Sequence, residues 1–378
     1  MKLSCLQDNF TKGLSVVGRF VPVRSTLPQA SHIKIETDEG RLKLVASDAS
    51  TMAITYWIGA QVEEEGSITI PARLLTDFVA SLPNEKIDLD VPARGNQLHL
   101  KCARNEATMA GMDAQDFPPV PAVDDGLTIN LGPADLSKAI AQVQFAAATD
   151  DTRPVLTGIH TLAEEQTLTL AAADGFRLAV HKLALTDEVA ERVEVIVPAR
   201  ALREIERLLS DATDEVEMSI NSARTQVLFK MDSVEIVATL IQGTFPNYGQ
   251  LIPSSFTSRA EIEMKPFLQE TRISAIFARD GAGIVRLQME PSSDGQPGKL
   301  TISARAEEIG EHRGDIDVKM EGEEAKIAFN SRYLQDVLQV LEVESVALET
   351  TSPSSPGVIR PIGDDSYVHV VMPMFVQW

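Results

Sequence analysis

The chain has 378 residues, with 34 Lys and Arg against 55 Asp and Glu, and a formal net charge of −21. Hydrophobic residues make up 44% and charged residues 24%, which is typical of a folded chain of about two to four domains and excludes general disorder. The only cysteines are Cys5 and Cys102, which excludes a disulfide framework, and no apolar run reaches the roughly 18 residues that cross a bilayer. An acid, Asp8, precedes any long apolar stretch, so no signal peptide is predicted and we expect a cytoplasmic protein. The acidic balance argues against general, tight binding to nucleic acid.

Short alternating strands that run directly into amphipathic helices recur along the whole chain. They begin near Met1, Ser67, Leu127, Val193, Arg259 and Ala325. The helices that follow are predicted over 6–21, 72–82, 133–147, 199–210, 264–279 and 331–342, because apolar residues fall on one face at helical spacing. The regular succession of strand and helix predicts a mixed α and β protein.

The middle third of the chain shows the strand pattern most clearly. Alternating segments predict strands over 127–131, 168–170, 178–180, 193–197, 216–220, 226–229 and 234–238. The second and third of these lie on either side of a turn at Asp174-Gly175. The connections are too short for parallel crossovers, so the strands form antiparallel meanders.

Residue identities repeat at a fixed distance. Ile70-Pro71-Ala72-Arg73 returns 127 residues later as Val197-Pro198-Ala199-Arg200, and Phe117-Pro118 returns 128 residues later as Phe245-Pro246. An ordinary alternation of strands and helices would repeat hydrophobicity but not identities. We therefore predict three similar tandem domains, at 1–125, 126–253 and 254–378. The predicted fold class is α+β, with two helices in each domain packed on one face of about eight antiparallel strands.

The charges are distributed unevenly. The six predicted helices contain eleven basic and eight acidic residues, so the acidity of the chain lies in strands and loops. One explanation is that Lys and Arg are good helix formers. The other explanation is that the helices line one common surface, which is mildly basic while the rest of the chain is acidic. Open sheet edges at the two ends of a curved tandem array would then be paired with a second copy, which gives a six-domain ring with helices lining the bore.

With these features the sequence resembles the bacterial DNA polymerase sliding clamp, the DNA polymerase III beta subunit family, over its whole length. The strings that carry the resemblance include Arg24-Ser25-Thr26-Leu27-Pro28, Arg153-Pro154-Val155-Leu156-Thr157-Gly158, Ala173-Asp174-Gly175-Phe176-Arg177-Leu178-Ala179, Phe245-Pro246-Asn247-Tyr248 and Tyr367-Val368-His369-Val370-Val371-Met372-Pro373-Met374. The resemblance implies a non-catalytic processivity factor, a ring homodimer that encircles duplex DNA without sequence preference and needs no cofactor. Its implied partners are the replicative polymerase, the clamp loader and repair proteins, each bound through a short linear peptide.

The resemblance also implies site residues. The positions expected to contact DNA are Arg24, Arg73 and Arg200, to which helical spacing adds Arg203 and Arg207. The peptide pocket between the second and third domains is expected to contain Arg153, Gly175, Arg177, Leu178, Pro246, Leu251, Val371, Met372, Pro373 and Met374. The dimer contact is expected to join Ala107 and Met109 to Ile276 and Phe277. Methionine and leucine adapt to varied apolar side chains, which suits a pocket with many partners.

Two departures from the family pattern are visible. The segment Phe375-Val376-Gln377-Trp378 follows Met374, where the family has a basic residue and then soon ends. Ala107 is small where the family often has a bulky residue. We therefore expect a more apolar rim at the pocket and a less stable dimer.

An enzyme and an acidic scaffold are the two alternative classes of function. An enzyme is disfavoured because the six histidines have no metal-ligand spacing, and neither a phosphate-binding glycine loop nor a nucleophile elbow occurs. An acidic, strand-rich scaffold that does not bind DNA is the second alternative. A ring clamp would be retained on circular DNA but not on linear DNA. This difference would distinguish it from an enzyme and from an acidic scaffold.

Overall fold

The computed structural model describes residues 1–22, 27–92, 95–279, 282–293, 296–306, 308 and 310–378. The chain forms two compact units. The first unit contains Met1–Pro133 and Leu208–Leu240, and the second unit contains Ala134–Arg207 and Ile241–Trp378.

The six predicted helices are confirmed among the described residues. They are α1 (Gln7–Val17), α2 (Ala72–Ala80), α3 (Pro133–Gln144), α4 (Ala199–Leu209), α5 (Met264–Ala278) and α6 (Ser331–Val340). Each begins directly after a strand, as the sequence pattern predicts. The start of α6 is fixed by Asn330, whose side chain accepts a hydrogen bond of 2.9 Å from the backbone N–H of Arg332. No described helix has both the length and the apolar character needed to cross a bilayer.

The described strands number 25 and all pair in antiparallel fashion. In the first 125 residues they are β1 (Lys2–Leu6), β2 (His32–Asp38), β3 (Arg41–Ser47), β4 (Met52–Gly59), β5 (Gln61–Glu64), β6 (Ser67–Pro71), β7 (Lys86–Asp90), β8 (Gln97–Cys102) and β9 (Asn105–Ala110). Next come β10 (Leu127–Leu131), β11 (Gly158–Glu164), β12 (Thr167–Ala173), β13 (Arg177–Ala184), β14 (Val193–Pro198), β15 (Val216–Ile220), β16 (Gln226–Met231) and β17 (Val234–Thr239). The last are β18 (Ser258–Glu263), β19 (Ile284–Glu290), β20 (Gly298–Ala306), β21 (Gly310–Gly322), β22 (Ala325–Asn330), β23 (Ser345–Thr350), β24 (Gly357–Pro361) and β25 (Tyr367–Val371).

The first unit contains two sheets. A five-stranded sheet has the order β5-β1-β7-β8-β9, and an eight-stranded sheet has the order β10-β15-β16-β17-β4-β3-β2-β6. Helix α1 packs on α2 and on β3 and β4. Helix α1 approaches the sheet closely at Gly13, where a Cβ atom would lie 2.7 Å from Cδ1 of Ile58.

The second unit is built on a twelve-stranded sheet with the order β14-β11-β12-β13-β25-β24-β23-β18-β21-β20-β19-β22. Helix α5 packs on α6 and on β19, β20 and β21. The long strand β21 has two partners. Its first part pairs with β20, and its last four residues, from Lys319 to Gly322, pair with β18.

Sheet pairing joins strands from different repeats. In the first unit β4 pairs with β17, and in the second unit β13 pairs with β25. Strands of the middle repeat therefore belong to both compact units, because backbone hydrogen bonding continues past the end of each repeat. The limits 1–125, 126–253 and 254–378 stay a prediction from the repeat.

Candidate functional site

A cluster of buried apolar side chains lies on one face of the sheet of the second unit. Its members come from β12, β13, β24 and β25, and they are Ala171, Leu178, Val180, Val358, Val368 and Val370. Strand register brings them together, since Leu178 is opposite Val370 and Val180 is opposite Val368. Tyr248 and Ile252, at the end of the predicted middle repeat, pack against this face. The cluster is thus the floor of a surface that the segment 245–252 partly covers.

A second apolar cluster adjoins the first. It consists of Leu156, Ile196 and Phe245, and both clusters contact Ala173 and Tyr248. The Tyr248 hydroxyl lies 3.3 Å from Nδ1 of His160, and burial raises the pKa of this phenol above its ordinary value. Tyr248 therefore stays neutral and joins the two clusters into one continuous apolar surface.

Exposed apolar side chains lie beside this surface. Leu251 is 54% exposed and Met372 is 45% exposed, whereas Pro373 and Met374 are half-buried. The backbone N–H of Met372 donates to the carbonyl of Phe176 over 2.8 Å, and that of Met374 donates to the carbonyl of Ala328 over 2.7 Å. The segment after β25 is therefore held in place while its large side chains remain available to a ligand.

A tight turn from Asp174 to Arg177 borders the surface. Gly175 has φ of 93°, a left-handed conformation that favours glycine. The Arg153 guanidinium lies over this glycine, because a Cβ atom at position 175 would be 3.1 Å from its Nη1. The Asp174 carboxylate accepts the backbone N–H groups of Phe176 and Arg177 over 2.9 and 3.0 Å. Arg153 and Gly175 thus lie together, as the resemblance implies.

The Arg177 side chain is 8% exposed, and all three of its guanidinium nitrogens donate hydrogen bonds within the protein. Its guanidinium donates to Asp174 Oδ2 over 3.0 Å, to Asp336 Oδ2 over 2.6 Å and to the carbonyl of Phe145 over 2.6 Å. It also lies over the rings of Phe145 and Tyr333, at 5.3 and 4.4 Å. The Arg177 guanidinium is therefore held by two carboxylates, one backbone carbonyl and two aromatic rings beside the apolar surface. No signal in the sequence marks Phe145, Tyr333 and Asp336 as neighbours of Arg177, because only the fold brings them together.

The last predicted pocket residues differ in accessibility. Val371 is fully buried, and it lies on the face of β25 opposite to Val370 because strand side chains alternate. Leu178 is also buried, in the floor of the cluster, while Pro246 is exposed. Val370 rather than Val371 shares the floor with Leu178, and the alternation of β25 could have indicated this.

The predicted DNA-contacting arginines lie on exposed helix surfaces where they are described. Arg73 on α2 has a side chain that is 93% exposed and lies 3.6 Å from Asp77. Arg200, Arg203 and Arg207 lie on the exposed face of α4, opposite the buried Leu202 and Ile205. Arg24 lies outside the described residues.

Several helix cations have acidic partners close by. Arg207 donates to Glu204 over 2.6 Å, Lys12 lies 2.8 Å from Asp211, and Lys138 donates to Asp364 over 2.9 Å. Burial opposes ionisation of Asp364, but hydrogen bonds from Ser366 and Lys138 outweigh it and lower the pKa of this carboxyl to about 2. These pairs reduce the positive field of the helices, which suits weak attraction to phosphate rather than tight binding.

The predicted dimer residues fall at accessible and buried positions. Ile276 on α5 is 60% exposed, and Ala107 on β9 is half-buried. Phe277 stacks on the ring of His312 with centroids 5.9 Å apart. Met109 is buried in the core of the first unit, so its side chain supports β9 from behind. No cluster of metal-ligating side chains occurs within the described ranges.

Sequence profiles of one family match nearly the whole chain. The N-terminal domain of the DNA polymerase III beta subunit matches residues 1–121, its central domain matches 130–247 and its C-terminal domain matches 249–375. The beta sliding clamp of Synechococcus elongatus is 32% identical over 379 residues, and that of Staphylococcus aureus is 31% identical over 383, each with 99% of both chains covered.

Solved structures give the same result. The DNA polymerase sliding clamp of Bacillus subtilis superposes with a TM-score of 0.93 at 28% identity, and the sliding clamp of Pseudomonas aeruginosa bound to griselimycin with a TM-score of 0.91 at 28% identity. Both comparisons cover 100% of each chain. The class is therefore a protein of three tandem clamp domains. The chain belongs to the DNA polymerase III beta subunit family, the beta sliding clamps, which are non-catalytic processivity factors of DNA replication.

Proposed function

We propose that two copies of this chain close into a ring that encircles duplex DNA, slides along it and tethers the replicative polymerase. The observation that carries the proposal is a pair of open sheet edges. Among the described residues β9 pairs only with β8, and the stretch of β21 from Gly310 to Asp317 pairs only with β20. Unpaired edges favour association with another strand.

Head-to-tail pairing of these edges under two-fold symmetry would remove them. Strand β9 of one protomer would pair with β21 of its partner, and the exposed Ile276 would be covered beside this contact. Six clamp domains would then form a closed ring, with the helices lining its bore. DNA would be held by topology, so the modest charge of the helices suffices and sliding is not opposed by tight phosphate contacts. Since the chromosome of a bacterium lies in the cytoplasm, we infer a cytoplasmic location.

Retention on DNA tests this proposal. Loaded by its clamp loader with ATP on a nicked circular plasmid, the clamp should co-elute with the DNA in gel filtration and be lost once a restriction enzyme linearises it. Ile276→Asp should halve the dimer mass, which is about twice 41.1 kDa, and abolish retention, because a charge would be buried in the contact. Leu74→Asp, at a comparably exposed position on α2, should leave the dimer intact. Equal retention on circular and linear DNA would refute encirclement.

We also propose that Arg73 and Arg203 contact the DNA backbone. The double variant Arg73→Ala/Arg203→Ala should weaken DNA binding and lower the slope of log affinity against log salt by about 1.8, because each lost phosphate contact removes about 0.9. The melting temperature should hardly change, since both side chains are exposed. Lys319→Ala, which removes an 83% exposed cation from a strand, is the matched control and should leave the slope unaltered. A salt slope unchanged in the double variant would contradict these contacts.

The apolar surface of the second unit is the proposed partner site. We infer that it accepts short linear peptides from the polymerase, the clamp loader and repair proteins. Its buried floor around Leu178 and its exposed residues Leu251 and Met372 support this, because an apolar floor with large side chains at the rim can enclose an apolar anchor. The proposed pocket consists of the two apolar clusters together with Arg153, Gly175, Leu251 and Met372–Met374.

A further inference from the structure

The two strand junctions between repeats have the same register. In the first unit Thr55 of β4 lies opposite Glu235 of β17, and in the second unit Val180 of β13 lies opposite Val368 of β25. Each pair ends a row of directly opposite residues that starts three residues before a helix. The two rows are Thr69, Lys34, Val45, Thr55 and Glu235 in the first unit, and Ile196, His160, Ala171, Val180 and Val368 in the second unit. The junctions are therefore equivalent residue by residue.

The third repeat contains the start of such a row but no strand to complete it. This row begins three residues before α6 and consists of Ala328, Arg286, Ser303 and Arg313. Arg313 therefore occupies the position of Thr55 and Val180. It belongs to the stretch of β21 that pairs only with β20 among the described residues.

The first repeat contains the matching strand, since β9 is the last strand of that repeat, as β17 and β25 are of theirs. Glu106 is the second residue of β9, just as Glu235 and Val368 are the second residues of β17 and β25. Six residues after each of them, a backbone N–H donates to the residue that starts the row. These bonds are Met112 to Thr69, Ile241 to Ile196 and Met374 to Ala328. Both counts identify Glu106 as the equivalent of Glu235 and Val368.

We propose that the ring closes in this same register, with Arg313 opposite the partner's Glu106 and His312 opposite the partner's Ala107. The occupant of each open edge is thus a second copy of this chain. The inference rests on the proposed function and adds to it the residue pairs of the contact.

The first pair is complementary in charge. The side chain of Arg313 is 64% exposed and that of Glu106 is 69% exposed, so both can reach across the contact. Within the chain Arg313 lies 3.7 Å from Asp315, and Glu106 lies 2.7 Å from Lys101. Exposed ion pairs of this kind are weak, whereas opposite charges on facing strands stabilise a sheet. The register therefore places an arginine against a glutamate at both contacts of the ring.

The second pair is complementary in volume. His312 stacks on Phe277 of α5, which fixes its ring on the side of β21 that faces the helix. The equivalent pair in the second unit is Ala179 opposite His369, and both are fully buried. The ring contact contains the same two residue types with the strands exchanged. The imidazole of His312 fills the space beside the small Ala107, which would otherwise be a cavity.

The volume pair is tested by a reciprocal exchange. His312→Ala should create a cavity, and Ala107→His should bring two imidazoles together. Each should raise the dimer dissociation constant about 100-fold in sedimentation equilibrium, because the ring has two identical contacts and each loses about tenfold. The double variant Ala107→His/His312→Ala restores one histidine against one alanine and should dimerise within about twofold of the native chain. His32→Ala, which removes a half-buried histidine from β2, is the matched control and should leave the dimer unchanged.

The register is tested by cross-linking. Oxidation of Glu106→Cys/Arg313→Cys should give a covalent dimer of about twice 41.1 kDa on a non-reducing gel. Directly opposite Cα atoms lie about 4.5–5.5 Å apart, which a disulfide spans. Glu106→Cys/Asp317→Cys moves one thiol about 13 Å along β21 and should remain monomeric on the gel. The native Cys5 and Cys102 are buried, so they should not form cross-links.

A covalent dimer from the Glu106→Cys/Asp317→Cys chain would overturn the register and leave the ring intact. So would a double exchange variant that dimerises as weakly as the two single variants. A native chain that sediments only as a monomer of 41.1 kDa would overturn the proposed ring and the register with it.

Discussion

Replacement of Leu251 and Met372 by alanine is expected to weaken about 100-fold the binding of a polymerase octapeptide, chosen as the tightest binder from an array that tiles the catalytic subunit of the replicative polymerase of the same genome. Both side chains are about half exposed in the free protein and lie beside the buried floor, so a bound apolar anchor would be desolvated between them. A loss of about 1.4 kcal/mol at each position corresponds to tenfold in affinity. The measurement is calorimetric titration of the double variant.

The fold should survive this change, because neither side chain belongs to the core. Melting temperature and dimer mass should match those of the native chain. Leu178→Ala would be a poor substitute, since Leu178 is buried and its truncation should destabilise the protein itself by about 2–5 kcal/mol. Replacement of Met372, Pro373 and Met374 together by alanine should also abolish binding with the dimer intact. Native affinity in both multiple variants would refute the pocket.

Acid is expected to destabilise the second unit through two buried histidines. His369 is fully buried, and burial together with the nearby Arg177 charge lowers its pKa to about 3. Burial, assisted by Lys138, lowers the pKa of His181 to about 4. Both imidazoles are neutral in the fold but bind a proton in the unfolded chain below about pH 6.5. Stability is therefore complete above pH 6.5 and declines as the pH falls toward 4 and 3.

The size of the effect follows from linkage. Between pH 7.5 and pH 5.0 each histidine should remove about 2 kcal/mol from the free energy of unfolding, at about 1.4 kcal/mol per pH unit below 6.5. His369→Gln should abolish one such contribution in urea unfolding followed by circular dichroism. Because carboxylates titrate alike in both proteins, the difference between native and variant isolates the histidine. His99→Gln, in the first unit, is the control, and an identical pH dependence in native and His369→Gln chains would contradict the assignment.

Local structure was largely predictable from the sequence. The six helices and the strands of the middle repeat lie where amphipathic and alternating patterns put them, because these patterns reflect which face of each element is buried. The Gly175 turn was also foreseeable, since glycine after aspartate favours a left-handed turn position.

Long-range pairing was not predictable in the same way. Nothing in the sequence of β4 or β13 indicates that its sheet continues into another repeat. An apolar strand can pair with a strand of its own repeat or with a strand of another repeat. The contacts of Arg177 were not predictable either. Asp336 and Tyr333 are more than 150 residues away in sequence, and they reach Arg177 only after α6 is packed.

The sequence by itself determined the repeat, the elements of each repeat and the clamp family, because hydrophobic period and residue identity are properties of short segments. Only the tertiary structure decided that Arg177 forms internal ion pairs with Asp174 and Asp336, and that Phe375 stands exposed directly after the anchored Met374. The physical reason is that burial and ion pairing depend on which surfaces meet, and distant segments meet only in the folded chain.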